Sequence, residues 1–364
     1  MNFKDFIAEE NDNDRRIDRF VLKLLPSMNI SVVCSNLRSG FIRLNGKKTK
    51  NSERIFTGDK ISIEEHLFSR FAQESLQNSI VQHSVYEDFL PSITIFKNEH
   101  ILIVNKKRGM LTQSSQKKVL DETSLDETKM PLDEIVRLSS PSSASFKAGP
   151  MHRLDKNTSG ILCFSQSLKG ARWFQSCMEN HLTAKTYVAL VKGIIPCEQN
   201  WVDEISSDFT KNSSGFYTGK IALTKMSPDE SDTSRAGKIT TDNKITDSKA
   251  KLAITKVTPL ASCNGITLAQ FSIKTGRHHQ IRLQSAYHGF PLLFDTAYSK
   301  NHAKQNKNEH KTSETFFLHC IKMEFPQNDL GIPEKIICPI DDKFEETVKK
   351  ILPNFDFKIY NNSL

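Results

Sequence analysis

The stretch that most constrains this 364-residue chain is His152-Arg153-Leu154-Asp155-Lys156-Asn157-Thr158-Ser159-Gly160, which runs directly into the apolar Ile161-Leu162-Cys163-Phe164. Gly160 closes a turn, and the apolar run after it has the character of a strand. The turn therefore carries one carboxylate, Asp155, beside a cation, Arg153. A carboxylate held this way can act as a nucleophile or base on a defined reacting atom. The plainer reading of the same residues is a surface turn with an i,i+2 charge pair.

Strand signals recur on either side. Ile93-Thr94-Ile95-Phe96 and Ile101-Leu102-Ile103-Val104-Asn105-Lys106 read as two strands joined at Asn98-Glu99, while residues 187–191 and 266–273 alternate as strands do. Residues 169–182 carry Ala171, Phe174, Met178 and Leu182 at helical spacing, which predicts a core-packed helix. Residues 114–145, rich in Ser, Lys and acids, predict an exposed insertion. Residues 206–249 hold few large apolar side chains, cannot offset their ordering entropy, and predict a mobile insertion. The plan is α+β, with two or three domains expected from the length.

The N-terminal part has its own pattern. Ile17, Phe20, Val21, Leu24 and Leu25 form one helical face, and Pro26 stops that helix. Ile30, Val33, Cys34 and Leu37 repeat the spacing before Gly40, a left-handed cap residue. Phe41-Ile42-Arg43-Leu44 reads as a strand, Asn45-Gly46 as a hairpin turn, residues 47–50 as its return, and Ile61 and Ile63 as a last strand. The formal net charge is +8, and residues 15–60, with eleven bases against three acids, carry all of it. A polyanion would be gripped there first.

Seven scattered cysteines without a C-x-x-C pair suggest neither a disulfide framework nor a zinc site. The opening residues run into an acidic segment, unlike a signal or transit peptide, and no apolar run approaches a membrane span. A reducing cytoplasm is the expected location, and no membrane partner is expected.

The stretch 152–160 resembles the HRLDxxTSG signature of the RluA-type pseudouridine synthases at every signature position. Two further stretches agree: Lys185-Thr186-Tyr187-Val188-Ala189 looks like the family's KxYxA strand, and Thr275-Gly276-Arg277-His278-His279-Gln280-Ile281-Arg282 looks like its TGRxHQIR motif. The N-terminal pattern, Arg16-Ile17-Asp18, Gly40-x-Ile42-x-Leu44-Asn45-Gly46 and Gly58-Asp59-x-Ile61, resembles the small RNA-binding module named after ribosomal small-subunit protein four. Together the resemblance spans roughly residues 15–60 and 93–325. It implies a mixed, mainly antiparallel catalytic sheet at 91–348 and a small α/β RNA-binding module at 14–64; residues 65–90, polar, mixed and with little pattern, read as a linker between them.

The implied chemistry breaks the uracil N1–C1′ bond, rotates the base and rejoins it through C5. Nothing is lost and no redox change occurs, so neither a cofactor nor a metal is expected. The resemblance makes Asp155 the essential carboxylate, whether it attacks C1′, attacks the base or takes a ribose proton. Arg282 is implied as its ionic partner. Tyr187 is implied to stack on the target base, with proton removal from C5 as a second role; a phenol near its reference pKa of about 10 is a poor base at neutral pH. A duplexed uridine must be flipped out, and Arg153 is the implied occupant of the vacated space, an ion pair inside its loop being the alternative. Arg277, His279 and Gln280 are expected to shape the loop around Arg282 and touch backbone phosphate, a purely structural role being the alternative, and Arg15, Arg16, Arg43, Lys47 and Lys48 are expected to contact RNA.

The family pattern is not fully kept. Lys107 stands where it has Pro, Gln284 where it has His, Phe294 and Ser299 where it has Gly, and Cys320 where it has Ala. Phe294 calls into question a tight turn that Gly would favour. The reading is a monomeric isomerase acting on uridines of large-subunit ribosomal RNA. The alternatives are a transfer-RNA enzyme and an inactive RNA-binding assembly factor. Loss of Asp155, Tyr187 or Arg282 would favour the last, and none is lost.

Overall fold

Alternation splits the hydrophobic residues of one central strand, Ala184–Lys192, between two cores: Tyr187, Ala189 and Val191 face one cluster, Val188 and Leu190 the other. This strand lies inside the main sheet of the protein, described by a computed structural model over residues 1–72, 88–113, 130–140, 146–211, 217–225, 250–298, 315–358 and 360, as backbone alone at 206–211 and 217–225.

The N-terminal unit comprises β1 (Phe3–Ile7), β2 (Arg15–Arg16), α1 (Ile17–Leu24), α2 (Ile30–Ser39), β3 (Ile42–Leu44), β4 (Arg54–Ile55), β5 (Lys60–Glu64) and α3 (Glu65–Ala72). Ile17, Phe20, Val21, Leu25, Val33 and Leu37 are buried together against Ile42, Ile61 and Ile63, as the helical spacing predicts. Asn29 caps α2 by accepting from Val32 N at 2.9 Å, and Gly40 ends it in the left-handed region. The Asn45-Gly46 turn forms, but residues 47–50 do not return as a strand. The Asn45 side chain instead takes Lys60 N–H at 2.8 Å, and β3 pairs with β5 in the order β1-β5-β3. Residues 65–72, expected in a linker, form α3, whose Leu67, Phe68 and Phe71 pack on this core. Residues 73–87 of that expected linker lie outside the described residues.

The larger C-terminal part holds α4 (Phe89–Ile93), β6 (Thr94–Lys97), β7 (Ile101–Lys106), α5 (Leu132–Ser139), β8 (Gly149–Pro150), β9 (Ser159–Ser165), α6 (Leu168–Glu179), β10 (Ala184–Lys192), β11 (Gln199–Lys211), β12 (Tyr217–Lys225), β13 (Lys251–Cys263), β14 (Ile266–Ile273), α7 (Gln280–Tyr287), β15 (Leu318–Glu324), β16 (Lys335–Ile337) and α8 (Asp342–Ile351). The strand order is β12-β11-β13-β14-β10-β15-β9-β7-β6, with β16 on β15 and β8 on β9. Every described pairing in this sheet is antiparallel except β9 with β15. The expected mixed, mainly antiparallel α+β arrangement is what forms. Helix α8 covers the second face with Phe344 and Val348.

Three expectations change. Within the expected exposed insertion, α5 buries Leu132, Ile135 and Val136 at i, i+3, i+4; residues 114–129 and 141–145 lie outside the described residues. Within the expected mobile insertion, residues 206–211 and 217–225 continue β11 and form β12, because backbone pairing extends a ladder whose start is anchored by buried Trp201 and Asp203; residues 226–249 are not described. Helix α6 buries Phe174 and Cys177, but it ends at Glu179, His181 turns left-handed (φ 54°), and Leu182 falls outside the helix, exposed.

Candidate active site

The signature stretch folds as a loop pinned from below. His152 Nε2 accepts Cys163 N–H at 3.2 Å, which requires a neutral ring, and burial holds that imidazole well below its ordinary pKa. Thr112 Oγ1 donates to Leu154 O at 2.9 Å. The fully buried Lys106 Nζ donates to Met110 O at 2.8 Å and to Lys156 O at 3.1 Å, gripping the residue next to Asp155. Burial pushes this ammonium down to about 7, with Asp155 opposing. Gly160 has φ 104°, and a Cβ there would overlap the Cys320 backbone where β15 pairs with β9. The end of the signature must therefore be glycine. Leu154 is buried, Arg153 is exposed, and Asp155 is half-buried in a cleft of about 220 Å³.

Helix α7 brings the partner. Arg282 NH1 stands 3.7 Å from Asp155 Oδ2, and His279 Nε2 stands 3.5 Å from the same oxygen. The Arg282 fork is bidentate on buried Asp295, Nε at 2.8 Å and NH2 at 3.0 Å, and its plane lies over the Phe316 and Tyr298 rings. Burial opposes the guanidinium charge, but Asp295, then Asp155, hold its pKa above the ordinary value. Burial also drives His279 down to about 4, so the ring is neutral at pH 7, with Nδ1 2.7 Å from Tyr298 OH.

The other face of α7 is seated by buried amides. Gln280 Nε2 donates to Thr255 Oγ1 at 2.9 Å, Thr255 donates to Gln284 Oε1 at 2.6 Å, and Gln284 Nε2 donates to Asp203 at 2.7 Å. His288 reaches the same Asp203 oxygen at 3.0 Å. Gln284, a departure from the family pattern, is thus a link in this chain. Phe294 keeps the left-handed turn that the family's Gly suggested (φ 67°), its ring against Phe317, and delivers Asp295 beside it. Ser299 lies outside the described residues.

Not every expected site residue meets in the cleft. Leu111, Thr112, Arg153, Asp155, His278, His279, Arg282 and Phe316 are among those lining it; Tyr187 is not. Tyr187 is buried on β10 opposite Cys320, and burial first, then that thiol, raise its phenol well above the ordinary value. Proton removal by a Tyr187 phenolate is opposed by this environment. The Arg153 backbone is hydrogen-bonded to the His152 ring, but its guanidinium enters no ion pair among the described residues, so the intraloop salt bridge is not what forms there. Arg277 Nε donates to Leu252 O at 2.9 Å, anchoring the loop to β13.

Of the five N-terminal residues expected to contact RNA, Lys47 and Lys48 are exposed, as are Arg19, Lys23, Arg38, Lys50, Arg54 and Lys60 of the same unit. Arg43 lies over the Phe3 ring, Arg16 pairs with buried Asp18 at 2.6 Å, and Arg15 is half-buried. Sequence reasoning missed Asp295 and Lys106 as site residues, although Asp295 lies in the late family pattern and Lys106 is the Lys that Lys107 follows; His279 was expected only to shape the loop around Arg282 and touch phosphate, and it also reaches Asp155.

Asp155, His278 and His279 bring three potential metal-ligand atoms within 4.8 Å of one another. The fixed charge of Arg282, 3.1 Å from His279 Nε2, opposes a cation there. Among the described residues, no helix is long and apolar enough to cross a membrane.

A family model described as RNA pseudouridylate synthase matches residues 100–287. The ribosomal large subunit pseudouridine synthase C of Buchnera aphidicola subsp. Schizaphis graminum is 25% identical over 348 residues, covering 95% of this chain and 96% of the relative. Its namesake in Rickettsia felis is 27% identical over 337 residues, 91% and 96% of the two chains. The solved structure of human RNA pseudouridylate synthase domain containing 4 aligns with TM-score 0.50 at 16% identity, over 72% of this chain and 93% of that one, and shares the fold.

Proposed function

The chain belongs to the RNA pseudouridylate synthase family, and on that premise we propose that it isomerises uridines of large-subunit ribosomal RNA through Asp155. The observation carrying this reading is the half-buried Asp155 carboxylate in an open cleft with Arg282 3.7 Å away. The reaction cleaves N1–C1′, turns the uracil and joins C5 to C1′; the proton lost at C5 is balanced by one gained at N1. Asp155 supplies the anion, and Arg282, oriented by Asp295, supplies the opposite charge that a desolvated carboxylate needs. Arg153, exposed at the rim, fills the place of the flipped nucleotide. Tyr187, buried and within electrostatic range of Asp155, acts as a neutral phenol rather than as a base. Residues 14–64, with Lys47 and Lys48 among their exposed bases, grip phosphate. The ribosomal target is supported by the names of the relatives and by this basic unit.

The test is mapping of pseudouridine at nucleotide resolution in ribosomal and transfer RNA, with and without the gene. Sites lost from large-subunit ribosomal RNA are the expected result. Sites lost only from transfer RNA would replace the substrate, and no lost site would leave a non-catalytic assembly role.

A further inference from the structure

Two domains joined by a long connection normally move relative to one another unless a specific contact fixes them. Here residues 9–14, which leave β1 and return at β2, lie against the start of α6. Asn11 Oδ1 accepts Leu168 N–H at 3.0 Å, satisfying one of the first-turn donors that a helix cannot satisfy itself. Asp14 adopts a left-handed conformation (φ 56°). Its carbonyl receives Arg54 from the N-terminal unit at 2.6 Å and Arg172 from α6 at 3.0 Å. Its carboxylate faces the same two guanidinium groups at 2.9 and 3.6 Å. One residue is thus the common acceptor of both domains.

We infer that Asn11, Asp14 and Arg172 form a fixed joint that sets the distance between the phosphate grip and Asp155, and so selects which uridine of a folded RNA is modified. This rests on the reading that the N-terminal unit grips RNA. The joint residues touch no substrate; they act by register. Each contact is exposed or half-exposed and individually weak, so two substitutions suffice to release it.

The experiment compares the full chain with its Asn11→Ala/Arg172→Glu variant by small-angle scattering, by single-turnover rate on a short uridine stem-loop, and by site-resolved mapping on a large-subunit ribosomal RNA transcript. The expected result is a larger maximum dimension and an unchanged stem-loop rate. On the transcript, the rate at the preferred site should fall at least about tenfold, with new sites appearing. Arg172→Lys, which keeps a cation opposite Asp14, should preserve the pattern. An unchanged scattering profile would show that these residues are not the joint, and an opened shape with an unaltered site pattern would show that register does not select the uridine. A stem-loop rate lost together with the pattern would also overturn the inference, because the joint would then serve folding. Should the unaltered protein modify only transfer RNA, the substrate reading falls, while the same comparison on that RNA still decides the joint.

Discussion

Asp295 holds two nitrogens of the Arg282 guanidinium, at 2.8 and 3.0 Å, and thereby turns the third toward Asp155. The orientation of the proposed catalytic pair is thus decided thirteen residues beyond Arg282. Removing the carboxylate leaves a buried cation without its main partner. Asp295→Ala should cost about 3–5 kcal/mol of stability and lower single-turnover rate more than RNA affinity. Urea unfolding and rapid-quench assays measure both; an unchanged unfolding midpoint would contradict the assigned pairing.

Asp155→Asn keeps shape and removes charge. Turnover should fall by at least about 10²–10⁴-fold, with circular dichroism and RNA affinity nearly unchanged. A well-folded variant that still makes pseudouridine at a measurable fraction of the normal rate would remove Asp155 from its role.

Tyr187→Phe deletes only a hydroxyl that burial and Cys320 keep protonated. The rate should stay within about tenfold of normal, since an acid this weak is not an effective base at neutral pH. A loss of about 10³-fold or more would restore proton transfer to Tyr187.

Acid should unfold the protein through its buried neutral imidazoles, with His279 and His319 acting alongside His152. His279 and His319 titrate at about 4 in the fold, both lowered first by burial, against 6.5 when unfolded. Between those values the unfolded chain binds more protons. The stability they contribute is complete above pH 6.5 and is lost as pH falls toward 4, by about 1.4 kcal/mol per pH unit for each group. Unfolding midpoints compared at about pH 7.5 and about pH 5 measure this; His319→Gln should flatten the dependence, and an identical slope would exclude His319 as a source.

Lys47→Gln/Lys48→Gln should weaken ribosomal RNA binding and reduce the slope of log affinity against log salt by about 0.7–0.9 per lost phosphate contact. Affinities at several salt concentrations decide it. An unaltered slope would place the grip elsewhere.

The signature loop, the α1 and α2 faces, the strand pair β6–β7 and the alternation of β10 and β14 were legible because each is written in local periodicity or a dense motif. Asp155 and Arg282 were legible for the same reason. Lys106 was not, since a lysine ending an apolar strand reads as a solvated end until three carbonyls are seen to converge on it. Helices α3 and α5 were hidden by polar neighbours that diluted three or four apolar positions. Phe294 shows the opposite case: the missing Gly suggested a lost turn, while packing against Phe317 carries a side chain that the backbone conformation disfavours.

The one parallel ladder has a temporal consequence. Strand β9, which carries the end of the signature loop, pairs with β15 through Ser159 with His319 and Cys320 with Gly160, and the Ser159 hydroxyl lies 2.9 Å from the His319 ring across 160 residues of chain. At roughly 5–20 residues per second of synthesis, the ribosome takes on the order of 8–30 seconds to make that intervening chain. Throughout that interval the nascent polypeptide carries Asp155 without the strand that completes its support. Competence therefore arrives late and all at once, and a chain truncated before β15 would be a client for chaperones rather than a partly active enzyme.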